Sequence, residues 1–194
     1  EPLADYWILL DMEAAVHSGE APEDEGGGPG RWASETRPED ELPPTSEEYA
    51  VSAAASLARH FLDAGRSVGL ISHAQRRVVV PPDRGERQSL KLLGQLAVLR
   101  ARGRAALSEV LSAEGAVFTR HSSLLLITPS TSTRWVSALR ELRLRGVSTL
   151  VVLVEPSSLG PGGSCDAVAA ALSAERFALR RLSRGLPIGP ALLG

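Results

Sequence analysis

Tyr6-Trp7-Ile8-Leu9-Leu10-Asp11-Met12-Glu13-Ala14-Ala15 runs without a break from apolar residues into an acid. A continuous apolar run, rather than an alternating one, suits a strand covered on both faces, as in a parallel sheet packed by helices. An acid at the end of such a strand falls where open α/β sheets hold ligands, outside the carboxyl ends of the strands. Similar runs recur at residues 67–72, 77–80, 123–128, 147–154 and 177–182.

Segments of helical period lie between them, at residues 46–64, 86–100, 104–118, 132–145 and 165–174. The first is the clearest: Ala50, Ala53, Ala54, Leu57, Ala58, Phe61 and Leu62 fall on one stripe. Thr45 or Ser46 caps it, Glu48 completes a capping box with Thr45, and Gly65 closes it. In the fourth, Trp135, Leu139 and Leu142 point inward and Gly146 is the stop. Ser164 is placed to cap the fifth. Only His73-Ala74-Gln75-Arg76 separates the second and third strands, a spacing that makes a hairpin and leaves the third strand antiparallel at an edge. The expected fold is a three-layer α/β sandwich of one domain over residues 1–194. Its six-stranded sheet is doubly wound and mostly parallel, with one antiparallel edge strand.

Composition narrows the function classes. A net charge of −2 lacks the basic footprint of a nucleic-acid binder. The single Cys165 cannot form an intrachain disulfide and has no cysteine or histidine neighbours spaced for zinc, so it reads as an inert thiol. No apolar run approaches the ~18 residues of a membrane span. Residues 18–45 combine Glu20, Glu23, Asp24 and Glu25 with Gly26-Gly27-Gly28 and several prolines. Such a segment cannot repay its ordering entropy, so it is expected to be a disordered acidic insertion. Trp32 within it reads either as a docking point, because aromatics concentrate interface energy, or as a side chain folded back onto this domain.

Four stretches carry a family resemblance: Trp7-Ile8-Leu9-Leu10-Asp11, residues 48–58 with 65–71, the turn Val80-Pro81-Pro82-Asp83-Arg84-Gly85-Glu86-Arg87-Gln88, and residues 135–154. Together they resemble the von Willebrand factor A-like domain at the carboxyl end of domain of unknown function 58 proteins. That broader fold holds a metal ion through Asp-x-Ser-x-Ser after the first strand, a threonine from a later loop and an aspartate after the fourth strand. Magnesium there takes octahedral oxygen ligands, partly water. Carried onto this chain, the aspartate is Asp11, but the two serines become Glu13 and Ala15. The threonine loop reads Gly103-Arg104-Ala105, and the last aspartate falls near Thr128-Pro129-Ser130 and is missing.

Glu13, Thr128 and Ser130 could supply replacement oxygens. Arg104, if it lies beside Asp11, would put a guanidinium where the cation belongs and pair with the carboxylate. The resemblance therefore implies a degenerate metal site and no required cofactor. It further implies a non-catalytic interaction domain that works with a MoxR-type AAA+ ATPase, cytoplasmic and tethered to a membrane by segments outside this chain. The expected contact residues are Asp11, Glu13, Trp32, Arg104 and Ser130.

Two alternatives stay open. One is a magnesium-dependent adhesion module that rebuilds its site from Asp11, Glu13 and Thr128. The other is a hydrolase using Asp11 with His17 or His73, although Ser72-His73 lacks the Gly-x-Ser-x-Gly elbow. Gly160-Pro161-Gly162-Gly163-Ser164 opens a helix but lacks the Lys-Ser/Thr of a phosphate loop. Arg140, Arg143 and Arg145 form a basic cluster, either a solvated face or a seat for an acidic partner.

Overall fold

In the computed structural model, which describes residues 4–19 and 42–193, each apolar run is a strand. The strands are β1 (Asp5–Leu10), β2 (Ser67–His73), β3 (Arg77–Asp83), β4 (Ser122–Thr128), β5 (Ser148–Val154) and β6 (Ala178–Leu182). They form one sheet in the order β3-β2-β1-β4-β5-β6. All neighbours pair in parallel except β2 and β3, which make the antiparallel hairpin. Both edges are poor templates for further pairing: β3 carries Pro81 and Pro82, and β6 carries exposed Arg180 and Arg181.

The helices are α1 (Ser46–Asp63), α2 (Gly85–Val98), α3 (Leu107–Glu114), α4 (Val136–Leu144), α5 (Asp166–Ala174) and α6 (Ile188–Leu193). Because strand side chains alternate, β1 feeds two cores at once. Ile8 and Leu10 join Ala50, Ala53, Leu57 and Leu92 on the face covered by α1, α2 and α6. Trp7 and Leu9 join Leu111, Leu139 and Val168 under α3, α4 and α5. Every one of these side chains is buried, so the sheet is the middle of three layers. Tyr49 and Trp135 anchor their helices from buried positions.

Local chemistry sets the element ends. Thr45 is the N-cap of α1 and accepts from the Glu48 N–H at 3.2 Å. Ser164 accepts from the Asp166 N–H at 3.1 Å in front of α5. Gly65 and Gly146 follow α1 and α4 in the left-handed region, with φ of 72° and 85°.

Three expectations need correction. The segment at residues 104–118 shortens to α3 plus a 3-10 turn at Gly115–Val117, because Gly103 just before it is tied to the β1 loop. The segment at residues 132–145 starts helix only at Val136, because the hydroxyl-rich stretch before it bonds its own main chain instead. The run after β6 holds a short helix, α6, that its Gly-Pro content hid.

Candidate functional site

The strand order reverses between the parallel neighbours β1 and β4, which makes their carboxyl ends the switch point of the sheet, the usual place for a ligand crevice. Asp11 stands there. Leu10 is paired with Ile127, so the next residues, Asp11 and Thr128, lie side by side. Asp11 is only 3% exposed. Its Oδ2 accepts from the Thr128 hydroxyl at 2.6 Å, and its Oδ1 accepts from the Glu13 N–H at 3.2 Å. Burial raises the Asp11 pKa above the usual carboxylate range, against the lowering effect of those two hydrogen bonds.

Thr128 also accepts from the Ser130 N–H at 2.9 Å, so a two-bond relay joins the β4 loop to the carboxylate. Ser130 is itself buried. Glu13 is half-buried beside Asp11 and Glu109, and its pKa is raised by burial and then by those two acids.

Gly103 seats the neighbouring loop on this strand end. Its N–H donates to Met12 O at 2.8 Å, and its carbonyl accepts from the Ala14 N–H at 2.9 Å. A Cβ at Gly103 would lie 2.1 Å from His73 O and 2.7 Å from Met12 O, so only glycine allows this approach. The loop therefore lies against the end of β1 that carries Asp11. Arg104 behaves differently. Its side chain is exposed, and no ion pair joins it to Asp11 among the described residues. The expected guanidinium–carboxylate pair is replaced by the Thr128 hydroxyl, which closes the carboxylate without desolvating a cation.

His17 reaches the same strand end from the other side. Its Nε2 lies 2.8 Å from Asp11 O and its Nδ1 lies 3.1 Å from Ser46 Oγ. A carbonyl can only accept, so Nε2 carries the proton, and in the neutral ring Nδ1 accepts from the Ser46 hydroxyl. Burial lowers the His17 pKa, which favours that neutral ring. Ser46 Oγ accepts in turn from the Ser18 N–H at 2.8 Å, and the Ser46 N–H donates to Ser18 O at 2.8 Å. Gly19 pairs with Thr45 in an antiparallel bridge. The two ends of the acidic insertion are thus stitched to each other and to Asp11. Trp32 and the interior of the insertion lie outside the described residues.

The residues named for hydrolysis do not assemble. His17 meets the Asp11 main chain rather than its carboxylate. Ser72 donates to Leu10 O at 2.9 Å, and His73 Nε2 sits 2.7 Å from Glu114 Oε1. The serine that His17 does meet, Ser46, is fully buried and out of reach of a substrate.

Glu114 is a structural hub that the sequence did not reveal. Arg77 grips it through two bonds of 2.6 and 2.8 Å, and this contact, more than that of His73, holds its pKa down to about 2. The bond offsets a carboxylate at the carboxyl end of α3, where the helix dipole disfavours it, and it ties the β2–β3 hairpin to α3.

The basic cluster is also used internally. Arg140 and Arg143 both bond Glu175, Arg143 lies 4.6 Å over the Phe177 ring, and Arg145 donates to Gly115 O and Phe118 O. Cys165 is fully buried and its thiol is pushed up to about 12 by burial. Among the described residues, no three His, Cys, Asp or Glu side chains converge as metal ligands. No helix among them is long and apolar enough to cross a membrane.

No protein-family model matches the sequence, and no curated protein does. Solved structures do match its fold. An aerotolerance-related membrane protein from Bacteroides fragilis superposes with a TM-score of 0.62 at 14% identity, over 97% of this chain and 94% of that one. The SpRpn10 VWA domain gives 0.58 at 13% identity, over 98% and 94%. BatB from Bacteroides thetaiotaomicron gives 0.57 at 13% identity, over 94% and 91%. The chain therefore has the von Willebrand factor A fold, shared almost end to end. At such identities the likeness carries the fold and not the activity.

Proposed function

We propose that this chain is a non-catalytic protein-interaction domain whose contact face is the carboxyl end of the sheet, and that it works without a bound metal. The observation that carries the reading is the closed state of Asp11, both of whose oxygens are already spent on Thr128 and the Glu13 N–H. The residues there do not fit magnesium. The shell wants about six oxygens in near-octahedral geometry, whereas positions 13, 15 and 105 offer one repelled carboxylate and two methyl groups.

What remains on this face is Glu13, exposed Arg104 and the exposed hydroxyls of residues 131–133. Charges at a contact rim steer association and fix register. The resemblance to domain of unknown function 58 proteins supports a MoxR-type AAA+ ATPase as the partner. It also supports a cytoplasmic position, with tethering through segments outside this chain.

The test is direct binding of the purified domain to a MoxR-type AAA+ ATPase from the same organism. Glu13→Arg and Arg104→Glu are each expected to weaken binding at least tenfold with unchanged melting temperature. Arg120→Glu, just before β4 at the opposite end of the sheet, is expected to leave it unchanged. Equal affinity in all three variants, or no binding by the parent domain, would overturn the assignment.

A further inference from the structure

Beside Asp11, the loops after β1, β4 and β5 enclose a cleft of about 200 Å³. An engineered cavity of about 150 Å³ takes up benzene, so this cleft has room for one side chain. Pro129, Pro156 and Pro161 stand in its walls, and their fixed φ angles make its shape largely preformed.

Apart from the His17 ring, whose two nitrogens are already engaged by Asp11 O and Ser46 Oγ, its polar side chains are hydroxyls, and no carboxylate, ammonium or guanidinium contributes. Ser130 Oγ accepts from the Ser132 N–H at 3.4 Å, and Ser132 Oγ accepts from the Arg134 N–H at 3.3 Å, so each still has its own proton to give. The Ser18 hydroxyl is buried without a partner among the described residues. It lies against Gly162, where an added Cβ would come within 3.2 Å of it. A buried hydroxyl left unpaired in a folded protein calls for a missing acceptor.

From this geometry we infer that the cleft receives one uncharged hydrogen-bond acceptor from a partner protein, the side-chain carboxamide of an asparagine or glutamine. The inference rests on reading the carboxyl end of the sheet as the contact face. Hydroxyl donors select an acceptor group, and the absence of any lining cation gives an anion no counter-charge. A carboxamide brings the carbonyl without the charge, and its N–H₂ can return bonds to the serine oxygens.

The test is amide-resolved NMR titration of the whole chain in EDTA with N-acetyl-glutamine methylamide, against N-acetyl-glutamate methylamide as the charged counterpart. The glutamine probe is expected to give saturable shifts at residues 130–132 and 162–163, with the glutamate probe at least fivefold weaker. Ser18→Ala removes a hydroxyl that no described group uses, so it should weaken the glutamine probe severalfold at unchanged melting temperature. Gly163→Leu fills the cleft from a position where a Cβ makes only ordinary contact, 3.4 Å from Thr131 Cγ2, and should abolish the shifts.

Absence of saturable shifts, equal binding of the two probes, or full binding by Gly163→Leu would each overturn the inference. If the probe fails while Glu13→Arg still weakens ATPase binding, the cleft assignment falls and the contact face stands. If Glu13→Arg and Arg104→Glu have no effect, the contact face falls whatever the probe does.

Discussion

Asp11 and His17 meet at one peptide carbonyl, and the same burial pushes them in opposite directions. For Asp11 it disfavours the charged form and raises the pKa from 3.8; for His17 it disfavours the charged form and lowers the pKa from 6.5. The signs of the stability changes follow from which state holds more protons. Folded Asp11 keeps a proton that the unfolded chain has released, so its contribution is present below pH 3.8 and is lost as pH rises through its native pKa. Folded His17 refuses a proton that the unfolded chain accepts, so its contribution is present above pH 6.5 and is lost as pH falls toward its native pKa. Chemical denaturation across pH 4–8 should show both in difference curves. The parent should lose stability relative to Asp11→Asn as pH rises above 3.8, and relative to His17→Gln as pH falls below 6.5. Parallel curves for parent and variant would mean that neither residue is perturbed. Little of this was legible in the sequence. Asp11 announced itself by following an apolar strand, and Thr128 becomes its partner only once β1 and β4 are in register. The bond between His17 and Ser46 spans 29 residues and an acidic insertion, and no local pattern encodes it.

Strands and helices were easier to read than their ends. Apolar runs marked β1, β2, β4 and β5 because most of their residues are buried, and β3 because one face is, whereas β6 was marked only by buried Phe177 and Leu182 at its two ends. Helix starts moved where a glycine loop had a long-range obligation, as before α3, or where hydroxyls bonded their own main chain, as before α4. Gly103 shows the reason most clearly. Its neighbours in sequence suggest a helical turn, but its main chain is pledged to Met12 and Ala14 across the top of β1. Any side chain there must displace backbone, and overpacking of this kind costs roughly 1–3 kcal/mol. Gly103→Ala should therefore lower the denaturation midpoint by a corresponding amount and shift the amide resonances of Met12, Glu13 and His73. Gly94→Ala, a helical glycine with open space around its Cβ position, should be neutral or slightly stabilising. Similar behaviour of the two variants would show that the Gly103 contact is not a constraint.

For the molecule as a whole, one sheet with two hydrophobic cores gathers the loops after β1, β4 and β5 at one end, the contact face of the proposed reading. A scaffold of this kind can hold a contact face rigid while its loops vary. The insertion fits that division of labour, since its two ends are fastened at Ser18 and Ser46 beside the site. On the proposed reading this end of the sheet works without a metal. Calorimetric titration of the purified chain with Mg²⁺ and then Mn²⁺, with Asp11→Asn in parallel, tests it most directly. No saturable heat with either ion, and identical traces for parent and variant, are expected. Stoichiometric binding that disappears in Asp11→Asn would contradict it, and would mean that Thr128 releases the carboxylate to a cation.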